Sequence, residues 1–241
     1  MLNYLVVIPA RYKSKRLPGK PLLAIKKIPM LVRTFRKCSK CVDVNKILVA
    51  TDDSRILNLC KRENIKCVMT SKKCLTGTDR VAEVAKKFKA KIYINVQADE
   101  PLLQINDLKK LIYTATRNPK EIINGYCELK NKKMYFDRNT IKILINQKEK
   151  LIYISRAPIP NNKKNKFIKA WRQVCIYSFP RKQLLKFASI KKKSQLEEIE
   201  DIEILRFLEL GYSIKMLKMS SKSISVDTKE DLRKVERLIR I

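Results

Sequence analysis

Short apolar runs alternate with stretches of helical spacing through the first hundred residues, and this alternation leaves few possible folds. The runs are rich in valine and isoleucine, which is typical of strands buried on both faces of a parallel sheet. The predicted strands are Leu5–Pro9, Ile47–Ala50, Lys66–Met69 and Ile92–Val96, and the predicted helices are Met30–Cys41, Ser54–Glu63 and Asp79–Lys87. Units of this length fit βα crossovers. We therefore predict a doubly wound α/β sheet with its ligand site at the carboxyl ends of the strands.

The second half is less regular and richer in predicted strands. Helices are predicted over Ile105–Thr116 and Leu196–Glu209, and the apolar face of the second comprises Ile199, Ile202, Leu205 and Leu208. The predicted strands are Gly125–Leu129, Thr140–Ile145, Leu151–Ile154 and Val174–Phe179. Thr228 and Asp231 have the spacing of a helix start with a capping acid. We expect a single domain over residues 1–241, with a smaller β-rich inserted portion at roughly 120–180.

Composition excludes several classes of site. The chain contains no histidine, which removes Ser-His-Asp and Cys-His catalysis and histidine metal sites. Its seven cysteines are irregularly spaced, and we interpret them as structural thiols although Cys38 and Cys41 lie close together. No apolar run approaches the ~18 residues of a membrane span. We expect a cytoplasmic protein without membrane insertion.

A formal net charge of +32 makes nucleic-acid binding a possibility to weigh. The lysines are spread over every segment, and the clusters at 163–166 and 191–193 lie in polar stretches. We interpret them as solvated faces, with no specific nucleic-acid partner. A basic nucleic-acid-binding protein on a decayed enzyme fold is the distant alternative.

The first predicted strand runs directly into a cationic loop, residues 10–20, which we call the opening loop. It carries Arg11, Arg16 and Lys20, with Gly19 in a tight turn. A cationic loop at the carboxyl end of a first strand is where α/β proteins bind phosphates. The three cations supply positive charge for a triphosphate. A basic surface turn is the alternative interpretation.

Two clusters rich in hydroxyls and acids follow later strands. The first is Thr51-Asp52-Asp53, and the second is Thr76-Gly77-Thr78-Asp79-Arg80 at a predicted helix start. Such groups suit a nucleobase edge or a phosphate. They suit simple N-capping equally well. The spacing alone does not decide between the two.

Two acids at predicted strand ends are candidate magnesium ligands. Asp99 follows the strand Ile92–Val96, and Asp227 lies in a similar setting near the end of the chain. Magnesium prefers carboxylate oxygen, so two distant carboxylates meeting one cation would make a phosphoryl-transfer site. The alternative for Asp227 is a cap of the last helix.

The segments VIPARYKSKRLPGKP, ATDD, TGTDRVAEV, INVQADEPLL and SVDTKEDL, in this order, resemble the 3-deoxy-manno-octulosonate cytidylyltransferases over essentially the whole chain. The resemblance implies a Rossmann-like nucleotidyltransferase fold, with a mostly parallel twisted sheet and helices on both faces. It also implies a homodimer, Mg²⁺, and the reaction of CTP with a 2-keto-3-deoxy sugar acid. In that reaction the anomeric hydroxyl attacks the α-phosphorus of CTP in line and displaces pyrophosphate.

The resemblance also assigns roles to individual residues. Arg11, Arg16, Lys20 and Asp99 would be catalytic, and Asp99 and Asp227 would hold the metal. The nucleotide would contact Ala10, Arg11, Lys20, Thr51, Asp52, Thr78, Arg80 and Gln97. The sugar would contact Gln97, Asn139, Lys142, Arg156, Gln173 and Glu203.

Departures from the family pattern concentrate on the sugar side. Ala98 replaces a glycine, Gln173 replaces a histidine, and Ile204 replaces a glutamine of the family motifs. Gln173 exchanges hydrogen bonds but carries no charge, and a polar sugar contact is expected to be lost at Ile204. The acceptor is therefore open between 3-deoxy-manno-octulosonate, an 8-amino-octulosonate and a nonulosonic acid.

Overall fold

A mixed sheet organises the protein in a computed structural model that describes residues 1–14 and 16–239. The strands are β1 (Leu2–Ala10), β2 (Ala24–Ile25), β3 (Ile28–Pro29), β4 (Ile47–Thr51), β5 (Cys67–Met69), β6 (Ala90–Val96), β7 (Ile122–Glu128), β8 (Lys142–Ile145), β9 (Leu151–Ser155), β10 (Trp171–Pro180) and β11 (Ile214–Lys218). The helices are α1 (Met30–Ser39), α2 (Ser54–Arg62), α3 (Gly77–Lys87), α4 (Ile105–Arg117), α5 (Lys132–Phe136), α6 (Arg181–Phe187), α7 (Gln195–Glu200), α8 (Leu205–Glu209) and α9 (Lys229–Leu238).

The strand order of the main sheet is β11-β7-β10-β6-β1-β4-β5. β1 pairs in parallel with β4 on one side and β6 on the other, so that Val6 lies between Ile47 and Ile94. The chain builds first outward from β1 through β4 and β5, and then crosses to β6 on the opposite side. β1 is therefore the point where the strand order reverses, and a crevice opens there at the carboxyl ends of the strands.

The second half of the chain adds the antiparallel part of the sheet. β10 runs antiparallel to both β6 and β7, while β11 closes the edge in parallel with β7. β8 and β9 form an antiparallel pair beside β10, and β2 and β3 form a small separate sheet.

Helices cover both faces of the sheet, which confirms the predicted fold class. Alternate residues of β1 point to opposite faces. Val6 and Ile8 pack in one apolar cluster with residues of α1, α2 and α4. Val7 packs in a second cluster with residues of α3, α6 and α8. Within the described ranges, no helix is long and apolar enough to cross a bilayer.

The predicted helix Leu196–Glu209 is wrong, because the chain forms two short helices there, α7 and α8. Asp201 adopts a left-handed conformation with φ of 50° between them. The guanidinium of Arg156 donates to the carbonyls of Glu200 (2.6 Å) and Asp201 (3.1 Å). These carbonyls therefore bind a side chain from outside the helix, where a continuous helix would use them as acceptors for its own amides. Ile199, predicted to face the core, is 72% exposed, whereas Ile202 is buried.

Several elements escaped prediction, namely β11, the β2–β3 pair, α5 and α6. β11 reads Ile-Lys-Met-Leu-Lys, and its lysines interrupt the apolar run that marks the other parallel strands. The predicted strands of the first hundred residues are present as β1, β4, β5 and β6. Thr228 and Asp231 form the predicted capping box at the start of α9.

Candidate active site

A cavity of about 1050 Å³ opens at the carboxyl ends of β1 and β6. The opening loop, the N-terminus of α3 and the segment after β6 form part of its wall, and β10, residues 193–203, Arg156 and the segment before α9 also contribute. Of the predicted site residues, the lining includes Ala10, Arg11, Arg16, Lys20, Arg80, Gln97, Asp99, Arg156, Gln173, Glu203 and Asp227. Thr51, Asp52, Thr78, Asn139 and Lys142 lie outside that lining in the part of the chain that the structure describes.

The opening loop folds back on itself directly after β1. Gly19 adopts the left-handed conformation with φ of 67°, which glycine tolerates without strain. Its amide donates to the carbonyl of Tyr12 at 3.0 Å. This turn places Lys20 at the start of a short 3₁₀ helix and directs its side chain toward β6.

Lys20 joins the two predicted metal ligands. Its ammonium contacts a carboxylate oxygen of Asp99 and lies 3.0 Å from Asp227 Oδ1. The same oxygen of Asp227 lies 3.1 Å from the guanidinium of Arg16, which also donates to Asn139 Oδ1 at 2.9 Å. Asp99 lies 79 positions and Asp227 lies 207 positions from Lys20 in the sequence, and the fold brings both carboxylates to its ammonium group.

The pKa values of this cluster follow from its charges. Burial acts to lower the pKa of Lys20, but attraction to Asp99 and Asp227 outweighs burial and raises it. Burial acts to raise the pKa of Asp227, yet Lys20 and Arg16 hold it below its usual value. Lys20 and Asp227 are therefore both charged at neutral pH.

Asp99 and Asp227 fit a hard divalent cation that a bound phosphate would also coordinate. Asp99 Oδ1 is buried and has no hydrogen-bond partner in residues 1–14 and 16–239. The same residues contain no cluster of three or more acidic or thiol side chains able to hold a metal by themselves. Magnesium is commonly bound by one or two carboxylates together with substrate phosphates.

Glu100 is a buried acid directly behind the cavity lining, and it was not among the predicted site residues. Ser223 Oγ donates to its carboxylate at 2.5 Å. Burial and the neighbouring charge of Asp99 raise its pKa to about 7. Its position directly after Asp99 in the chain was the available signal.

The start of α3 carries the N-cap that the sequence offered as one interpretation, and Thr76, Gly77 and Arg80 of the same segment also line the cavity. Thr76 and Asp79 form a capping box. The amide of Thr78 donates to the half-buried carboxylate of Glu203 at 3.0 Å. The N-terminus of α3 thus already binds acidic groups of the protein itself.

Arg80 and Asp52 form a buried contact that fixes α3 to the end of β4. The guanidinium of Arg80 is 2.9 Å from Asp52 and contacts the hydroxyl of Thr70. Gly77, at the start of α3, lets another side chain come close, because a Cβ there would lie 3.1 Å from Gln97 Nε2. Gln97 Nε2 in turn donates to Asn95 Oδ1 at 3.2 Å.

Two cationic side chains in and beside the cavity wall, Lys142 and Arg156, bind the protein's own backbone. Lys142 is fully buried, and its ammonium donates to the carbonyls of Asp137 (2.9 Å), Thr140 (2.6 Å) and Arg156 (2.6 Å). Burial lowers its pKa. Arg156 donates to the carbonyls of Glu200, Asp201 and Arg138. Its guanidinium is thereby fixed in the cavity wall.

Two departures from the family pattern have different structural consequences. Gln173 lines the cavity, and its Nε2 donates to the buried Asn124 Oδ1 at 2.8 Å. Ile204 is 1% exposed and packs in the apolar cluster shared with α6 and α8. The side chain of Ile204 therefore lies outside the cavity lining within the described residues and offers no polar contact there.

A buried ion network behind this wall also escaped prediction. The guanidinium of Arg206 is fully buried, donates to Glu197 at 2.5 and 2.7 Å, and lies 2.9 Å from Asp79. It also stacks 3.8 Å from the ring of Phe187. The network ties α3, α7 and α8 together and so supports Glu203. Arg206 stands next to apolar residues in the sequence, so no local pattern marks it.

Comparison with known proteins gives consistent matches along the chain. A family model described as cytidylyltransferase matches residues 5–219. A 3-deoxy-manno-octulosonate cytidylyltransferase of Fusobacterium nucleatum is 36% identical over 236 residues, which cover 97% of this chain and 96% of that protein. An 8-amino-3,8-dideoxy-manno-octulosonate cytidylyltransferase of Shewanella oneidensis is 34% identical over 246 residues and covers 100% of both.

A solved structure gives the same result for the fold. It is that of a CMP:2-keto-3-deoxy-manno-octonic acid synthetase complexed with CTP. The TM-score is 0.89 at 32% identity, covering 98% of this chain and 97% of that one.

Proposed function

The chain belongs to the cytidylyltransferase family, and from this premise we infer that it transfers the cytidylyl group of CTP to an eight-carbon 3-deoxy-2-ulosonic acid. The observation that carries the proposal is the meeting of Lys20, Asp99 and Asp227 at the carboxyl end of β1 and β6. This arrangement places two carboxylates and a cation beside a loop suited to phosphates. The similarity to a synthetase complexed with CTP supports the same nucleotide.

Asp99 and Asp227 would hold Mg²⁺, with Asp99 Oδ1 as a ready ligand. When bound, the metal would polarise the α-phosphate and lower the pKa of the attacking hydroxyl. Lys20 contacts both carboxylates and neutralises part of their charge, which favours approach of the triphosphate.

In the proposed reaction, the oxygen of the sugar acid's anomeric hydroxyl forms a bond to the α-phosphorus, and the hydroxyl proton is released to water. The bond between that phosphorus and the oxygen bridging to the β-phosphate breaks, and pyrophosphate leaves. Arg11, Arg16 and Lys20 would stabilise the charge that develops on pyrophosphate. Because the chain has no histidine, positioning and fixed charge supply the acceleration.

On the acceptor side, Arg156 presents a positive charge whose contacts within the protein are backbone carbonyls. We assign it to the carboxylate of the sugar acid. Gln97 and Gln173 line the same cavity and are held by Asn95 and Asn124, which suits them to sugar hydroxyls. The 8-amino acceptor named for one relative makes an amino-octulosonate the second candidate.

We also propose a homodimer formed through the β-rich portion. Ile152 on β9 is 56% exposed and Ile168 is 79% exposed. The only strand that pairs with β9 among the described residues is β8, and apart from a bridge between Lys150 and Lys215 at its start its other edge could add a second copy. Sedimentation equilibrium of the protein and of I152K tests this, and an unchanged mass would count against it.

Pyrophosphate release against a panel of acceptors tests the function. The panel pairs CTP or UTP with 3-deoxy-manno-octulosonate, its 8-amino analogue and a nonulosonic acid. We expect release with CTP and an octulosonate. Steep salt-dependent RNA binding with no turnover of any pair would favour the nucleic-acid-binding alternative instead.

A further inference from the structure

Tyr12 of the opening loop is covered on one ring face by an arginine from a different element. The guanidinium carbon of Arg55, in the first turn of α2, lies 3.2 Å from the centre of the Tyr12 ring. Tyr12 lines the cavity, whereas Arg55 lies outside the lining within the described ranges. The contact joins the opening loop to α2 through a residue that does not line the cavity.

Arg55 is held in this position by Asp53. The two carboxylate oxygens of Asp53 accept from Arg55 Nε at 2.9 Å and from its terminal nitrogen at 2.8 Å. Asp53 also accepts from the backbone amide of Arg55 and so caps α2 directly after β4. A two-point fork of this kind orients a guanidinium more strictly than a single contact does.

Gly19 packs against the ring of Tyr12 as well. A Cβ at Gly19 would lie 3.1 Å from Tyr12 Cε2. The Gly19 amide closes the loop onto the Tyr12 carbonyl. The Tyr12 ring thus lies between Gly19 of its own loop and Arg55 of α2.

We propose that Arg55 is a positioning residue for nucleotide binding, which acts through Tyr12 to hold the opening loop in the conformation that receives the triphosphate. The inference rests on the proposed function. A preformed loop loses less conformational entropy on binding. The effect therefore belongs in the affinity for CTP, while kcat and the KM for the acceptor stay close to those of the wild type.

The matched control is Arg117, which stacks on Tyr113 at 4.5 Å on the exposed surface of α4. R55A and R117A each remove one positive charge and one arginine–tyrosine contact. We expect R55A to weaken CTP binding, measured by calorimetry with MgCl₂ present, by about fivefold, and R117A to leave it unchanged. R55K should recover part of the loss, because lysine keeps the charge but not the fork. Equal affinities of R55A and R117A would overturn the proposal.

A double-mutant cycle separates positioning from simple charge attraction. If Arg55 acts through Tyr12, then R55A causes no further loss in a Y12A background. An equal loss in both backgrounds would overturn the proposal, since it would show direct attraction to the nucleotide. If Y12A does not fold, the R55A to R117A ratio at 1 M NaCl, where the Debye length is about 3 Å, replaces it. If the CTP affinities of R55A and R117A become equal at this salt concentration, positioning by Arg55 is contradicted. Failure of the wild type itself to bind CTP would count against the proposed function instead.

Discussion

The two walls of the cavity use charged side chains in different ways. The nucleotide wall, formed by Arg11, Arg16, Lys20, Asp99 and Asp227, pairs cations with carboxylates inside the cavity, and the side chains of Arg16 and Asp227 are 46% and 32% exposed. The acceptor wall comprises Arg156, Gln173 and Glu203, supported from behind by Lys142 and Arg206. The two charged side chains behind it, Lys142 and Arg206, are buried and bind backbone carbonyls or carboxylates away from solvent.

This difference separates charges that can act on a ligand from charges that stabilise the fold. Charges that face the cavity can exchange partners when a ligand enters, at little cost to the fold. Charges buried with fixed partners cannot be removed without leaving polar groups unsatisfied. Substitutions in the nucleotide wall should therefore reduce activity, and substitutions behind the acceptor wall should reduce stability.

The largest expected effect is on catalysis in D99N. Turnover of CTP should fall by about a thousandfold, because the variant loses a proposed ligand of a metal that contributes several kcal/mol. The melting temperature should change little, since Lys20 keeps Asp227 as a partner. Near-normal turnover in D99N would show that Asp99 is not a ligand of the catalytic metal.

R206M should show the opposite pattern. Loss of the guanidinium leaves Glu197 and Asp79 without their buried partner, which costs about 3–5 kcal/mol of unfolding free energy. Urea denaturation measures the loss. The control is R36M, which breaks the exposed Arg36–Glu63 pair and should cost at most about 1 kcal/mol. A loss in R206M no larger than that in R36M would contradict the structural role assigned to the buried charges behind the acceptor wall.

K142M should give a smaller loss of stability. Three half-buried backbone carbonyls lose their buried donor, and we expect the unfolding free energy to fall by about 1–3 kcal/mol. The KM for the acceptor should stay within about twofold, since Lys142 lies outside the cavity lining. A stable variant with a greatly raised acceptor KM would instead restore the sugar contact that the family resemblance assigns to Lys142.

The nucleotide wall was predictable because its signals are local. Arg11, Arg16 and Lys20 follow one strand within ten residues, and Asp99 follows another strand directly. Their meeting follows from the rule that parallel strands end at the same edge. The fold class was predictable for the same reason.

The acceptor wall depends on contacts between distant segments. Arg206 pairs with Asp79 across 127 positions, and Arg156 reaches residue 200 across 44. Apolar periodicity alone predicted one helix over Leu196–Glu209. Such periodicity gives no information about Arg156, a distant residue whose guanidinium hydrogen-bonds the carbonyls of Glu200 and Asp201. The break of the helix at Asp201 was therefore missed.

Phosphorus NMR of the complete reaction tests the central claim most directly. The protein is mixed with CTP, MgCl₂ and 3-deoxy-manno-octulosonate, and the spectrum is followed before and after addition of EDTA. The account predicts one sugar–CMP phosphodiester and one pyrophosphate for every CTP consumed, and it predicts that EDTA stops the reaction. Free CMP in place of the phosphodiester, or consumption of CTP that continues in EDTA, would contradict it.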